Sequence, residues 1–106
     1  MNRLDEIQDE HADWVLHNFP NATPVEAVLG VSEEAGELSH GMLKEIQGIR
    51  GNDHIPEMRD AIGDICIYLL HLCNLMGWSL LDIVDETWRH VQQRDWVKFP
   101  VDGRTK

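Results

Sequence analysis

An apolar stripe flanked by carboxylates, within residues 28–46, constrains the fold of this chain more than any other feature. Its apolar side chains recur at the spacing of an α-helix, which predicts one helix face turned towards a core. Glu34 and Glu37 lie three residues apart beside this face and are therefore neighbours on the helix surface. Because two carboxylates at the margin of a core repel each other and lose hydration, a divalent cation is predicted beside them. The stripe is formed by Val28, Val31, Ala35, Leu38, Met42 and Ile46.

A second acidic set belongs to residues 55–77, an apolar segment that is predicted to form the most buried helix. Four of its polar side chains fall within roughly 60° of one another around the helix axis: Glu57, Asp60, Asp64 and His71. Glu57 and Asp60 are also explained by the helix dipole, which favours acids in a first turn. Asp64 stands inside the aliphatic run, where an ionised carboxylate is costly without a cation. The acids of the two helices are therefore predicted to form one metal cage.

Turn and capping residues mark two helices in the first half of the chain. Residues 1–19 form the first helix, because the residue before Pro20 disfavours the helical conformation. Thr23 and Glu26 have the spacing of a capping box, with a proline between them at the first helical position. The second helix is therefore predicted from this point to about Ile49.

Two more helices are predicted in the second half. The third occupies residues 55–77, and the fourth begins at a capping serine and occupies residues 79–96. No segment has the pattern of a strand, so the predicted fold is an all-α, four-helix bundle. Residues 1–99 are expected to form a single domain, and residues 100–106 a loosely ordered tail.

The composition limits the partners and the compartment. A formal net charge of −10 over 106 residues makes nucleic acid and anionic membrane surfaces unexpected partners. The sequence has no signal-like segment and no apolar span of about twenty residues, which predicts a cytoplasmic protein. Cys66 and Cys73 are seven residues apart, so they are predicted to be buried free thiols on one helix face.

The acidic segments resemble a known family. The segments SEEAGEL (32–38) and DAIGDICIYLL (60–70) are similar to the signature of the MazG-like, all-α nucleoside triphosphate pyrophosphohydrolases. In that signature an E-x-x-E on one helix is followed by an E-x-x-D and an aliphatic run on the next. The likeness extends over residues 29–77, and the segment TWRHVQQRDW (87–96) is also similar to bacterial and phage members.

The resemblance implies a reaction and a cofactor. The family hydrolyses nucleoside or deoxynucleoside triphosphates between the α- and β-phosphates and releases a monophosphate and pyrophosphate. The implied cofactor is Mg²⁺, with Mn²⁺ as a substitute, and the implied purpose is house-cleaning of the nucleotide pool. Mg²⁺ prefers carboxylate and phosphate oxygens, so this reaction is compatible with an acidic site.

The resemblance also implies metal ligands, of which one does not transfer. The acid expected three residues before Asp64 is replaced by Ala61. Asp60, one residue earlier, or Glu57, one turn earlier, is left to replace it, and we expect Asp60 to do so. The ligands that transfer directly, and to which catalysis is assigned, are Glu34, Glu37 and Asp64.

Further side chains are candidates for proton transfer and for contact with the phosphates. One of the carboxylates, Glu37 or Glu34, is predicted to be the general base that activates the attacking water. Lys44 lies two turns after Glu37 on nearly the same line, so it is predicted to meet the phosphate tail. Arg94 and Arg50 are further candidates for that contact.

The first helix supplies the candidates for binding the base. Trp14, with His11 and Asn18, is similar to the base-side wall of the relatives, and Trp14 is predicted to stack on the base. Tyr68 matches a position that lies beside the bound base in those relatives. Trp14, Asn18 and Tyr68 are therefore the predicted base contacts.

The assembly and two other functions follow from the same helices. The third helix is apolar over nearly its whole circumference, and the rest of a short chain is too small to cover it, so a homodimer or a dimer of dimers is expected. The alternative function is a non-catalytic helical dimerisation or regulatory module with solvated acids. A di-iron carboxylate protein is the third reading, because Glu37 and His40 form one E-x-x-H unit. Its second unit is missing, since Glu86 and His90 are four residues apart.

Overall fold

Four α-helices make up the computed structural model, which describes residues 2–48, 51 and 53–104. The described residues contain no strand, so the predicted all-α class is confirmed. The predicted end of the second helix, Ile49, lies outside the described residues. The helices are α1 (Arg3–Asn18), α2 (Pro24–Gln47), α3 (Ile55–Met76) and α4 (Leu80–Val91).

The predicted helix boundaries are confirmed at three points. Thr23 and Glu26 form a capping box at the start of α2, in which the Thr23 backbone N–H donates to Glu26 Oε2 at 3.0 Å. At the start of α4, Ser79 Oγ accepts a hydrogen bond from the N–H of Asp82 at 3.2 Å. Both bonds satisfy groups that the first turn of a helix leaves without an intrahelical partner. α3 ends at Gly77, whose φ of 75° is readily adopted by glycine.

The fourth helix is shorter than predicted, because it ends at Val91 and not near Trp96. Asp95 Oδ1 accepts hydrogen bonds from the second and third backbone N–H groups that follow it, at 3.0 and 2.9 Å. These bonds start a separate turn and compete with helical pairing. The N–H of Asp95 also donates to the carbonyl of Gly103 at 2.7 Å, which closes this part of the chain into a loop. The remainder of the predicted tail, residues 105–106, lies outside the described residues.

α2 and α3 run antiparallel and approach each other closely through small residues. A Cβ atom on Gly30 would overlap the ring of Tyr68, and one on Gly41 would lie 2.8 Å from Met58 Cγ. Ala61, which is 2% exposed, belongs to the same interface. Without larger side chains between them, the two backbones come close enough for side chains of both helices to line one cavity.

Gln8 on α1 is a buried polar side chain that joins three helices. Its Nε2 donates to Asn74 Oδ1 at 3.0 Å and to the carbonyl of Trp78 at 2.7 Å. Its Oε1 accepts the backbone N–H of Leu80 at 3.1 Å. Because the amide makes these three bonds, its burial is compensated and α1 is fixed to the end of α3 and the start of α4. The adjacent apolar core contains Leu70, Cys73 and Leu80, with Leu4, Ile7 and Leu69 packed against it.

The arrangement is open for a chain of this length. The radius of gyration is 17.5 Å, whereas a compact domain of this size has about 13 Å. α3 contains more buried residues than any other helix, as predicted, but Ile62 on it is 52% exposed.

Cys73 is buried and Cys66 is exposed, so the prediction that both thiols are buried is wrong. The reason is that the apolar core formed with α1 and α4 covers α3 near Cys73 and does not extend two turns back to Cys66.

Apolar surface is also exposed on α4, where Val84 and Trp88 are more than half exposed.

Within the described part of the chain, no single helix has both the length and the apolar content needed to cross a bilayer. α3 and α4 meet those criteria only as a pair, and the chain bends by 107° between them.

We expect Gln8→Ala to lower the free energy of unfolding by at least about 2 kcal/mol, because it leaves buried polar partners without hydrogen bonds. Urea unfolding followed by circular dichroism measures this loss. Gln93→Ala, at an exposed position after α4, is the matched control and should change stability by less than about 0.5 kcal/mol. Equal stability of the two variants would show that the Gln8 network does not hold the helices together.

Candidate active site

An acidic cavity of about 230 Å³ lies between α2 and α3. The antiparallel contact of the two helices places the E-x-x-E of α2 opposite the acids of α3. Five carboxylate side chains from the two helices therefore share one small space. The lining residues are Glu34, Glu37, Glu57, Asp60, Ala61 and Asp64, so the structure brings all four predicted cage residues together.

Glu34 is a half-buried carboxylate of this acidic cavity. Its pKa is raised above the ordinary value, first by desolvation and then by the negative charge of Asp64. Glu37 and Asp60 raise the pKa further, as does the neighbouring Glu33. The ionised form of Glu34 is therefore disfavoured, and a cation bound in the cavity would relieve this repulsion.

The donor set of the acidic cavity fits an oxygen-preferring divalent cation. All of its charged groups are carboxylates, the ligand type that Mg²⁺ and Mn²⁺ select over thiolate or imidazole. In the positions that the described side chains occupy, no three His, Cys, Asp or Glu groups converge enough to hold one metal ion. The metal cage expected from the sequence therefore stays a prediction.

Glu57 differs from the other acids because a buried histidine holds it. His54 is 6% exposed, and its Nδ1 lies 3.1 Å from Glu57 Oε2. The His54 backbone N–H donates to Glu45 Oε2 at 2.9 Å, which ties the end of α2 to the start of α3. Glu57 and Asp60 both line the acidic cavity, so the choice between them as the replacement for the acid missing at Ala61 stays a prediction.

A second, aromatic cavity of about 690 Å³ lies between α1, the α1–α2 loop and α3. Trp14 and Phe19 form one side, with their rings edge to face and 5.7 Å apart. Tyr68 and His71 contribute from α3, and Asp64 lines this cavity as well as the acidic one. A flat apolar group in the aromatic cavity would thus lie beside the carboxylates. The predicted base contacts Trp14, Asn18 and Tyr68 all line it.

Two histidine rings meet in the aromatic cavity. His11 and His71 lie edge to face with their centroids 5.5 Å apart. The pKa of His11 is lowered, mainly by desolvation and then by His71, so its neutral form is favoured. His11 Nδ1 is buried and has no hydrogen-bond partner among the described residues, which leaves one polar atom for a ligand to satisfy.

The predicted phosphate contacts are not brought to these cavities. Lys44 Nζ donates to Gln47 Oε1 at 3.4 Å and lines neither the acidic nor the aromatic cavity. Arg94 follows the end of α4 and also lines neither of them. Arg50 lies outside the described residues. The assignment of these cations to the phosphate tail therefore stays a prediction.

Sequence reasoning misses several residues of the aromatic cavity, among them Glu26, Phe19 and His71. The sequence pattern explains Glu26 by the capping box, Phe19 by the end of a helix, and His71 by the acidic side of α3. The aromatic pairing of Phe19 with Trp14 depends on a loop conformation that periodicity does not report. Glu26 and Phe19 lie on either side of the α1–α2 loop, and this closeness in sequence is the signal that could have placed them in one site.

No protein-family model matches the chain, and no curated protein or solved structure matches it at a significant level.

Gly30→Ala should destabilise the protein by about 1–3 kcal/mol, because the added methyl group must displace the Tyr68 ring or separate α2 from α3. Gly36→Ala is the matched control on the same helix, since a Cβ there meets nothing within 4 Å. It should stabilise the protein by about 0.5–1 kcal/mol through helix propensity. Thermal and urea unfolding of both variants measure these effects, and a Gly30→Ala protein as stable as Gly36→Ala would contradict the close contact.

Proposed function

We propose that this chain is a Mg²⁺-dependent nucleoside triphosphate pyrophosphohydrolase of the MazG-like type. The observation that carries the proposal is that Asp64 lines both the acidic and the aromatic cavity. A nucleotide has a flat base at one end and a charged phosphate chain at the other, so it needs two such environments side by side. The motif resemblance of residues 32–38 and 60–70 supports the same assignment.

The proposed metal ligands are Glu34, Glu37, Asp60 and Asp64. Mg²⁺ held by these residues, or Mn²⁺ in its place, would neutralise the triphosphate and polarise the α-phosphate. Desolvation and the neighbouring negative charges raise the pKa of Glu34, and a cation bound in the acidic cavity would offset both effects. Asp60 replaces the acid that Ala61 cannot supply.

In the proposed reaction the oxygen of a water molecule attacks the α-phosphorus. The bond from that phosphorus to the oxygen bridging the β-phosphate breaks, and a monophosphate and pyrophosphate leave. Glu37 or Glu34 takes the proton from the attacking water. This reaction would serve the house-cleaning of the nucleotide pool that the resemblance implies.

Substrate contacts are assigned on both sides of the reacting bond. Trp14 and Tyr68 would hold the base by stacking and edge contacts, and Asn18 would hydrogen-bond to it. The flexible side chains of Lys44 and Arg94 are the proposed contacts of the phosphate tail. The formal charge of −10 gives such cations particular importance for an anionic substrate.

Hydrolysis is tested by pyrophosphate release from a panel of ribo- and deoxyribonucleoside triphosphates with and without Mg²⁺. Glu37→Gln and Asp64→Asn should each lower turnover on the order of 100-fold or more, because they remove charge from the reacting site. Asp60→Asn should slow turnover less, and Glu57→Gln should do least because His54 engages that carboxylate. Glu86→Gln, on the exposed surface of α4, is the control for loss of one charge.

The same variants give a readout that does not depend on turnover. Mg²⁺ at one hundred times its Kd should raise the free energy of unfolding of the natural chain by about 2.7 kcal/mol. Glu37→Gln should lose most of this rise, whereas Glu86→Gln should keep it. Absence of both pyrophosphate release and metal stabilisation in the natural chain would leave the alternative, a non-catalytic helical dimerisation or regulatory module.

We also propose that the chain is a homodimer, or a dimer of dimers, with α3 near the interface. The exposed apolar surface of Ile62 on α3 and of Trp88 on α4 favours burial against a second copy. Sedimentation at micromolar concentration should give at least a dimer, and Ile62→Glu should shift it towards monomer. Glu10→Gln on α1 serves as the control, and a monomeric natural chain would contradict the proposal.

A further inference from the structure

Glu26 belongs both to the capping box of α2 and to the lining of the aromatic cavity. It is exposed at the start of α2 and also lines the aromatic cavity, with Trp14, Tyr68 and His71. It therefore places a carboxylate at the rim of the space that the proposed function assigns to the base. The sequence explains the residue by capping alone, and capping does not require a position beside aromatic rings.

The hydrogen bonds that Thr23 donates to Glu26 use only one of its two carboxylate oxygens. The Thr23 backbone N–H and hydroxyl both donate to Oε2. Both Thr23 bonds end on the same oxygen, so Thr23 does not occupy Oε1. Because the capping box fixes one side of the carboxylate, Oε1 is a preoriented acceptor, and a ligand need not order a free side chain to use it.

Glu26 is an acceptor at neutral pH and cannot become a donor there. Its pKa lies below the ordinary value, mainly because the Thr23 hydroxyl hydrogen bond stabilises the ionised form. An ionised carboxylate offers lone pairs only. A ligand group that approaches it must therefore present an N–H or O–H, and a carbonyl oxygen in the same place would be repelled.

We infer that Glu26 selects nucleotides whose base carries an exocyclic amino group. This inference rests on the proposed function, which places the base in the aromatic cavity. The amino group of cytosine or adenine can donate a hydrogen bond to a carboxylate. The ring positions beside that amino group carry a C–H or a nitrogen lone pair and no carbonyl. Uracil and thymine also have an N–H, but a carbonyl flanks it on each side, and the negative charge of Glu26 opposes both carbonyls.

The test compares two ligands that differ only at position 4 of the base and in the proton on the adjacent ring nitrogen, the non-hydrolysable α,β-imido analogues of dCTP and dUTP. Calorimetric titration with Mg²⁺ present gives the Kd of each for the natural chain, and the dCTP analogue should bind about tenfold or more tightly. Pyrophosphate release from dCTP and dUTP is measured in parallel.

Glu26→Gln is the decisive variant because it is nearly isosteric and keeps the capping box. The amide oxygen can accept the Thr23 bonds, which turns the amide N–H₂ towards the cavity as a donor. The ratio of the two Kd values should then shift by about tenfold or more towards the dUTP analogue. Glu33→Gln removes the same charge from an exposed position of α2 that lines neither cavity, and it should leave the ratio unchanged.

Equal binding of the two analogues by the natural chain, or an equal ratio in Glu26→Gln, overturns the role of Glu26. Should Glu26→Gln unfold, the ratio of the natural chain alone decides. Binding with the expected ratio but without pyrophosphate release from either nucleotide overturns the proposed reaction and supports the inference. Failure of both analogues to bind overturns the two together.

Discussion

The close contact between α2 and α3 is the constraint on which the rest of the structure depends. Gly30 and Gly41 allow it, since a Cβ at either position would collide with a side chain of α3. The interhelical distance then brings the carboxylates of both helices into one cavity of about 230 Å³. The acidic residues do not stabilise this arrangement, and their mutual repulsion opposes it. The packing of small residues therefore supports a site that is electrostatically unfavourable without a cation.

The two cavities are useful because they share a wall. Asp64 lines both, so a group held among the aromatic rings is adjacent to the carboxylates. The two cavities differ in their polar side chains. Histidines, Asn18 and Glu26 line the aromatic cavity, whereas the polar side chains of the acidic cavity are all carboxylates. Hydrogen bonding can therefore select a ligand at one end, while charge neutralisation acts at the other.

The attachment of α1 and α4 is the weakest part of the single chain. A buried amide, Gln8, and a small apolar core connect them to the end of α3, and much of the remaining apolar surface is exposed. α1 nevertheless supplies Trp14 and His11 to the aromatic cavity. Anything that stabilises α1 against α3 would therefore also fix the wall of that cavity.

The sequence by itself determined the four helices, most of their ends and the grouping of Glu34, Glu37, Asp60 and Asp64, because periodicity and capping are local properties. It failed at the end of α4, where the Asp95 side chain starts a new turn, and at Cys66, which the neighbouring helices do not reach. Only the tertiary structure paired Glu57 with His54, brought His11 to His71 and placed the capping residue Glu26 beside Trp14. These pairings depend on side-chain directions and on contacts between elements or turns, which the spacing of residues along one helix does not specify.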